Sequence, residues 1–519
     1  MYNYNLGIRF QTVVEEHSRR TAIWLDPREA ITYAEINRLA NKIARFLLTK
    51  AINPGDVVCL SGEKSLFTFA SMLGCLKVGA PYCVLDADSP AERLRKILSI
   101  CRPKLLLVVN DSPDGPGKVA SDLGIEVFGK QSDQLASALG NVDDTNLPQT
   151  RAVTGANPAY IMFTSGSTGF PKGAVITHAN VLNLIKWSVD TFGINRDDIL
   201  TNVNALFFDN SVFDFYAALF TGACLAPFTA EEVRDPKRLV DKVAAAKCTL
   251  WFSVPSLLIF LQTMRATGSG RNLRSIRRFV FGGEGYPKSK LKSLFETYSG
   301  SADFFNVYGP TECTCICSSY QITDNDFADL QALPPLGHLA DNFSNLILDE
   351  KGSAVSPGDI GELCLLGPNV GRGYYNDPDQ TAASFVQNPY NDSFPEIMYR
   401  TGDLVRLEPA DGKLYIHGRK DNQIKHMGYR IELEEIESAL HHLDYVSEAA
   451  ALHASINGLS RIVAVVASDT EFADDQIRHD LKRLIPDYMI PSLFHHEAML
   501  PKNANGKVDR GRLAEKYLQ

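Results

Sequence analysis

Tyr160 to Gly173 read Tyr-Ile-Met-Phe-Thr-Ser-Gly-Ser-Thr-Gly-Phe-Pro-Lys-Gly, which places three glycines, four Ser/Thr hydroxyls and one lysine behind an apolar, strand-like run. Glycine lets the backbone approach an anion closely, and successive N–H groups form a concave nest. Thr164, Ser165, Ser167 and Thr168 add hydroxyls and Lys172 adds charge, so the chemistry of this loop is phosphate holding. It is not a Walker A loop, because Pro171 stands where the second glycine of that motif belongs. It does not have the spacing of the G-x-S-x-G elbow that presents a nucleophilic serine. Taken alone, such a run also reads as a plain surface loop.

Three acids and a second lysine extend the possibilities. Asp209 lies in Phe208-Asp209-Asn210-Ser211, Glu312 closes Asn306-Val307-Tyr308-Gly309-Pro310-Thr311-Glu312, Asp403 lies in Thr401-Gly402-Asp403-Leu404, and Lys507 lies in Asn505-Gly506-Lys507-Val508-Asp509-Arg510. Each taken singly reads as a turn acid, a loop acid or a solvated lysine. The net charge of −9 argues against a nucleic-acid surface, which needs clustered Lys and Arg. A nucleotide pocket needs only local charge, so ATP stays compatible. Ten cysteines without a paired framework suit reduced thiols. Cys313, Cys315 and Cys317 alternate as on one face of a strand and are expected to line an apolar wall, since no His or second Cys pair accompanies them at zinc spacing.

The elements that must position these residues alternate. Ile36, Leu39, Ala40, Ile43, Ala44 and Leu47 recur at helical spacing, and Val57 to Leu60 and Leu105 to Val109 read as buried strands. This predicts α/β layers with largely parallel sheets. At 519 residues two or more domains are expected. A boundary is predicted at 420/421, after the strand-like Lys413 to Ile416. Beyond it Leu433 to Leu440 reads as a helix, Ile462 to Ala467 as a strand, and Ile477, Leu481 and Leu484 as a further helix. Met1 to Trp24 carries Glu15, Glu16, Arg19 and Arg20 and lacks a signal-peptide core. The longest apolar segment, Leu250 to Leu261, is too short to span a bilayer. A cytoplasmic protein with no membrane partner is expected.

Together the motifs resemble those of the adenylate-forming superfamily, in particular the amino-acid adenylation domains of nonribosomal peptide synthetases. The motifs already quoted are joined by Leu76-Lys77-Val78-Gly79-Ala80, Gly361-Glu362-Leu363, Tyr399-Arg400-Thr401 and Gly418-Arg419-Lys420-Asp421-Asn422-Gln423-Ile424-Lys425, all in the family's order. The resemblance implies a large N-terminal domain (1–420) of layered α/β subdomains with a small β-barrel-like part, and a small, mobile α+β C-terminal domain (421–519). It implies carboxylate activation by ATP with Mg²⁺, then transfer to a phosphopantetheine thiol of a carrier protein acting in trans.

By the same resemblance, Thr164, Ser165, Gly166, Ser167, Thr168, Gly169 and Lys172 hold the phosphates. Gly283, Asn306, Tyr308, Gly309, Thr311, Asp403 and Arg419 complete the ATP site, with Tyr308 offering a ring to adenine and Asp403 two acceptors to the ribose. Glu312 and Thr168 are the implied Mg²⁺ residues. Lys507 is the implied catalytic ammonium, with Glu312 and Thr164 beside it in the reaction. Asp421 matches the hinge, and Lys425 and Gly428 the face turned to the pantetheine arm.

Asp209 matches the aspartate that pairs with a substrate α-ammonium, and Asn210, Phe213, Phe252, Val280, Gly282, Val307, Cys315 and Ile316 match the rest of the pocket together with Lys507. No charge stands among the side-chain positions, and the apolar lining resembles pockets for isoleucine and other branched aliphatic amino acids. Proline or a nonproteinogenic neutral amino acid stays open because Asn210 offers hydrogen bonds, as does an acyl- or aryl-CoA ligase on the same fold. The chain ends twelve residues after Lys507 without a Gly-Gly-x-Ser carrier signature, so a free-standing enzyme or an excised domain is expected, with room for a small MbtH-like activator.

Overall fold

The computed structural model describes residues 3–109, 115–129, 132–166, 169–267, 273–456, 459–468, 472–502 and 508–518. Local signals fix many of its elements. Thr32 and Glu35 cap each other at the start of helix Tyr33–Thr49, whose Ile36, Ala40, Ile43, Ala44 and Leu47 are buried as their spacing predicts. Thr177 and Asn180 do the same for helix His178–Phe192. Val58–Ser61 and Leu105–Val108 are fully buried strands paired in parallel.

The chain divides into two compact units: residues 1–87, 100–163 and 173–420 form one, and residues 88–99, 164–172 and 421–519 the other. Among the described residues the larger unit contains three sheets. In the nine-stranded sheet the neighbouring strands Asp303–Tyr308, Arg278–Gly282, Leu250–Ser253, Ile199–Asn202, Cys224–Pro227 and Thr21–Asp26 run parallel, with antiparallel additions at both edges. The six-stranded sheet is ordered Glu126–Phe128, Leu105–Val108, Val58–Ser61, Tyr82–Leu85, Pro158–Thr164, Lys172–Thr177. A separate antiparallel sheet of five strands, built on the long strand Ile397–Leu407, has its own core around Leu363, Leu365, Tyr399 and Val405.

Lys77, in one of the quoted motifs, is wholly buried on helix Leu66–Val78. Its ammonium donates to Asn37 Oδ1 and Asn41 Oδ1, each at 2.8 Å, and burial lowers its pKa to about 7. This residue therefore fastens two helices.

The smaller unit contains a hairpin of Gln423–His426 and Tyr429–Glu432, helix Leu433–His441, and a three-stranded sheet of Glu448–Ile456, Leu459–Ala467 and Leu493–Glu497. Helix Asp474–Leu481 ends before Leu484, so that residue lies past the helix it was expected to extend.

The expected strand through Cys313, Cys315 and Cys317 is not formed. Thr311–Cys313 is a 3-10 turn, and Thr314 and Cys315 take left-handed backbone conformations with φ of 63° and 72°. All three thiols are nevertheless buried. Among the described residues no helix is long and apolar enough to cross a membrane.

Candidate functional site

Within the larger unit, the parallel strands deliver the predicted pocket residues by register. Phe252 and Val280 are Cα partners on adjacent strands, and Gly282 and Val307 are partners on the next pair. Carboxyl ends of parallel strands are where crevices open in α/β sheets. Helix Asn210–Leu219 contributes Asn210 from its first turn and Phe213 from the next, and the rings of Phe213 and Phe252 meet edge to face at 4.8 Å.

Phe213, Phe252, Val280, Val307, Cys315 and Ile316 are all buried. A Cβ on residue 282 would lie 2.4 Å from Val307 O, so the two strands pass too closely there for any side chain. Gly283 follows that strand, and Gly309 follows strand Asp303–Tyr308.

Asp209, immediately before helix Asn210–Leu219, lies half-buried, and Oδ2 of its carboxylate accepts a hydrogen bond from Thr311 Oγ1 at 2.6 Å. Burial pushes the Cys315 thiol and the Tyr160 hydroxyl well up, and the nearby charge of Asp209 adds to both shifts. The structure thus brings Asp209, Cys315 and Tyr160 into one neighbourhood. Among the described residues the buried Tyr160 hydroxyl has no hydrogen-bond partner.

A second cluster joins the predicted nucleotide residues of this unit. Tyr308 donates its hydroxyl proton to Asp403 Oδ2 at 2.5 Å, while Arg419 pairs with Asp403 Oδ1 and donates to Thr401 O at 3.2 Å. Burial, and then the Asp403 charge, push the Tyr308 hydroxyl well up, so it stays protonated as a donor. Asn306 spends its amide on Pro335 O at 2.8 Å, which makes it a tie between strand and loop.

Glu312 is wholly buried, and its Oε1 accepts from the Tyr374 hydroxyl at 2.7 Å. Tyr374 was missed in the sequence, because nothing in its spacing announces a contact with a residue sixty-two positions away.

Glu362, in a quoted motif, is a buried acceptor for Arg400 Nε at 3.0 Å, for Gly402 N at 3.2 Å and for Lys420 Nζ at 2.6 Å. Its carboxyl is held below the usual range, against the opposing effect of burial, by hydrogen bonds from Arg400 and Lys420. Lys420, the last residue of the larger unit, is thereby anchored.

The glycine-rich loop groups with the smaller unit, which also contains Asp421, Lys425 and Gly428. A Cβ on Gly166 would lie 2.0 Å from Phe170 O, and Gly169 N bonds to Gly166 O at 3.0 Å, so the described part of the loop is a tight turn that needs glycine. Lys96 donates to Gly169 O at 2.9 Å. Ser165 Oγ donates to Arg430 O at 2.7 Å and accepts from Glu432 N at 3.1 Å, while Lys172 Nζ stands 3.5 Å from Glu432 Oε1.

The loop and the hairpin bearing Lys425 and Gly428 therefore meet. Among the described residues the buried Thr164 hydroxyl has no hydrogen-bond partner. Ser167, Thr168 and Lys507 lie outside the described residues.

A family model described as AMP-binding enzyme matches residues 10–375, and one described as AMP-binding enzyme C-terminal domain matches residues 435–507. The chain is 32% identical over 494 residues to bacitracin synthase 1 of Bacillus licheniformis, covering 94% of this chain and 9% of that synthase, so it spans less than a tenth of that relative's length. It is 32% identical over 511 residues to the D-alanine–D-alanyl carrier protein ligase of Bacillus licheniformis, covering 95% of this chain and 96% of that enzyme. The fold is shared with the Vibrio cholerae adenylation domain AlmE, solved with glycyl-adenosine-5'-phosphate, at a TM-score of 0.82 and 23% identity, covering 99% of this chain and 98% of that one. The chain belongs to the AMP-binding enzyme family.

Proposed function

We propose that this protein is an ATP-dependent, adenylate-forming ligase of the nonribosomal-peptide-synthetase adenylation type that activates a neutral, branched aliphatic α-amino acid such as isoleucine, valine or leucine. The observation that carries the reading is one carboxylate, Asp209, beside a wall of Phe213, Phe252, Val280, Val307, Cys315 and Ile316. A half-buried carboxylate beside an apolar wall offers negative charge and acceptors to a substrate cation. The α-ammonium of an amino acid is that cation, and its side chain fills the apolar space.

A substrate carboxylate oxygen attacks the α-phosphorus of ATP, the bond to the bridging oxygen of the β-phosphate breaks, and pyrophosphate leaves with that electron pair. The described Thr164, Ser165, Gly166, Gly169 and Lys172, with Ser167 and Thr168, are the proposed triphosphate cradle. The unused Thr164 hydroxyl supports that role.

Tyr308 and Asp403 are proposed for adenine and ribose, with Arg419 holding Asp403. Lys507 is proposed to offset charge between carboxylate and α-phosphate as the pentavalent state develops. Mg²⁺, when bound, would supply further positive charge to the phosphates. Glu312 with Thr168 is the proposed holder, an oxygen set that suits an ion keeping most of its water and phosphate ligands.

The pantetheine thiol of a carrier protein then gives up its proton and its sulfur attacks the acyl carbon, the bond from that carbon to the phosphate oxygen breaks, and AMP leaves with the electron pair to yield the thioester. Asp421 is proposed as the hinge at the 420/421 boundary, and Lys425 and Gly428 as the face toward the thiol. The D-alanyl ligase relative, matched over nearly its whole length, supports the carrier step and favours a second reading, D-alanine as substrate. Phe213 and Phe252 weigh against so small a side chain.

Pyrophosphate release with Mg²⁺-ATP, across proteinogenic amino acids, D-alanine, aryl acids and fatty acids, tests the reading without a carrier. Maximal release with isoleucine, valine or leucine is expected, and abolished by Asp209→Ala. Lys507→Ala is expected to slow adenylation on the order of 10²- to 10³-fold while ATP binding persists. A maximum with an aryl or fatty acid, or an Asp209→Ala enzyme with unchanged turnover, overturns it.

A further inference from the structure

We infer that the Thr311 hydroxyl is a shared donor that couples amino-acid binding to ATP binding, an inference that rests on the reading of Asp209 as the ammonium anchor and Thr311 as an ATP contact. Thr311 belongs to the stretch Asn306 to Glu312, whose other members serve the nucleotide in that reading. In the structure it does something else: Oγ1 donates to Asp209 Oδ2 at 2.6 Å. The threonine is buried, on the 3-10 turn Thr311–Cys313, and the aspartate stands 102 residues away at the mouth of helix Asn210–Leu219.

A hydroxyl has one proton to donate, and an ammonium has three. Asp209 accepts this hydrogen bond, so a phosphate of ATP can recruit the Thr311 donor only by breaking a hydrogen bond to a carboxylate. When an α-ammonium arrives it brings its own donors to Asp209. The ammonium charge weakens the hold of Asp209 on the threonine hydroxyl, which can then turn its proton toward a phosphate oxygen at a lower cost. Each ligand therefore removes a cost that the other would otherwise meet, and by linkage the effect is equal in both directions.

Thr311 is, on this account, a positioning residue for Asp209 that becomes a donor to the nucleotide when ATP and amino acid are both bound. A hydrogen bond to a charged group is large enough to give a coupling factor on the order of tenfold.

The test uses the full chain with Mg²⁺ and α,β-methylene-ATP, which cannot release pyrophosphate, so binding stays at equilibrium. The analogue is titrated calorimetrically with and without whichever of L-isoleucine, L-valine and L-leucine gives the fastest pyrophosphate release. The unaltered chain is expected to bind it roughly tenfold more tightly when the amino acid is present. Thr311→Val should bring that ratio close to one, and Thr311→Ser, which keeps the hydroxyl, should restore it. Thr311→Val retaining the full ratio overturns the inference.

Should Thr311→Val fail to fold, the unaltered chain still decides. The deaminated acid 3-methylpentanoate has no ammonium to bring to Asp209, so it should leave analogue affinity unchanged, and tightening equal to that by isoleucine overturns the inference. Failure of the underlying reading looks different, because then none of the three amino acids supports pyrophosphate release by the unaltered chain.

Discussion

The Tyr308 hydroxyl reaches across 95 residues of chain to donate a hydrogen bond to Asp403 Oδ2, while Arg419 holds the other oxygen of the same carboxylate. Two predicted nucleotide residues thus fix each other. Tyr308→Phe keeps the ring and removes the donor. We expect the KM for ATP to rise on the order of tenfold, since a buried hydrogen bond to a charged group is lost, with amino-acid preference unchanged. Initial rates of pyrophosphate release against ATP concentration check this, and an unchanged KM would show that the hydroxyl does not set the position of Asp403.

Glu312 depends on Tyr374 in a comparable way. Tyr374→Phe removes the phenol that donates to a wholly buried carboxylate oxygen. The cost is the desolvation of an under-bonded acceptor, about 1–3 kcal/mol, divided between stability and catalysis. We expect a lower melting temperature together with a fall in kcat for pyrophosphate release. A variant that melts lower with kcat intact would mark Tyr374 as purely structural.

Gly282→Ala should collapse the substrate wall, because its Cβ would meet Val307 O at 2.4 Å and Val307 Cγ2 at 2.7 Å. Strands that are Cα partners at this point must separate, and we expect more than about 2 kcal/mol of destabilisation, as for other overpacked cores. Gly300→Ala is the matched control, since nothing lies within 4 Å of its added methyl. Chemical denaturation of both variants decides between a local steric limit and a general intolerance of alanine for glycine.

His178 should make stability depend on pH. It is wholly buried, its Nδ1 accepts from Leu6 N at 3.1 Å, and burial lowers its pKa to about 3. Unfolded, the same ring takes up its proton near pH 6.5. Between about pH 6.5 and 3 the unfolded chain therefore binds more protons than the folded one, so stability rises with pH across that window and falls as the solution is acidified. The contribution is roughly 3–5 kcal/mol when the window has been crossed. His178→Asn offers an uncharged acceptor to Leu6 N. Its urea midpoint should fall less between pH 6.5 and 4 than that of the unaltered chain, and parallel curves would remove His178 as the cause.

Much of this protein was written locally. The glycine-rich run needed no partner to declare itself, because a tight turn that excludes a side chain at Gly166 is a property of adjacent residues. Helix Tyr33–Thr49 and the buried strands Val58–Ser61 and Leu105–Val108 were legible for the same reason: periodicity and capping are short-range. Lys77 was legible as a motif member but not as a buried brace, since its two asparagine partners stand on another helix.

Alternation misled at Cys313 to Cys317, where left-handed backbone at Thr314 and Cys315 breaks the period that a strand would keep. The pairings Thr311 to Asp209, Tyr374 to Glu312 and Tyr308 to Asp403 were decided only by tertiary structure. Residue type and order determined the family and the inventory of chemical groups. Which hydroxyl holds which carboxylate is set by strand register and by loops that bring distant segments within 3 Å, and no short-range pattern encodes that distance.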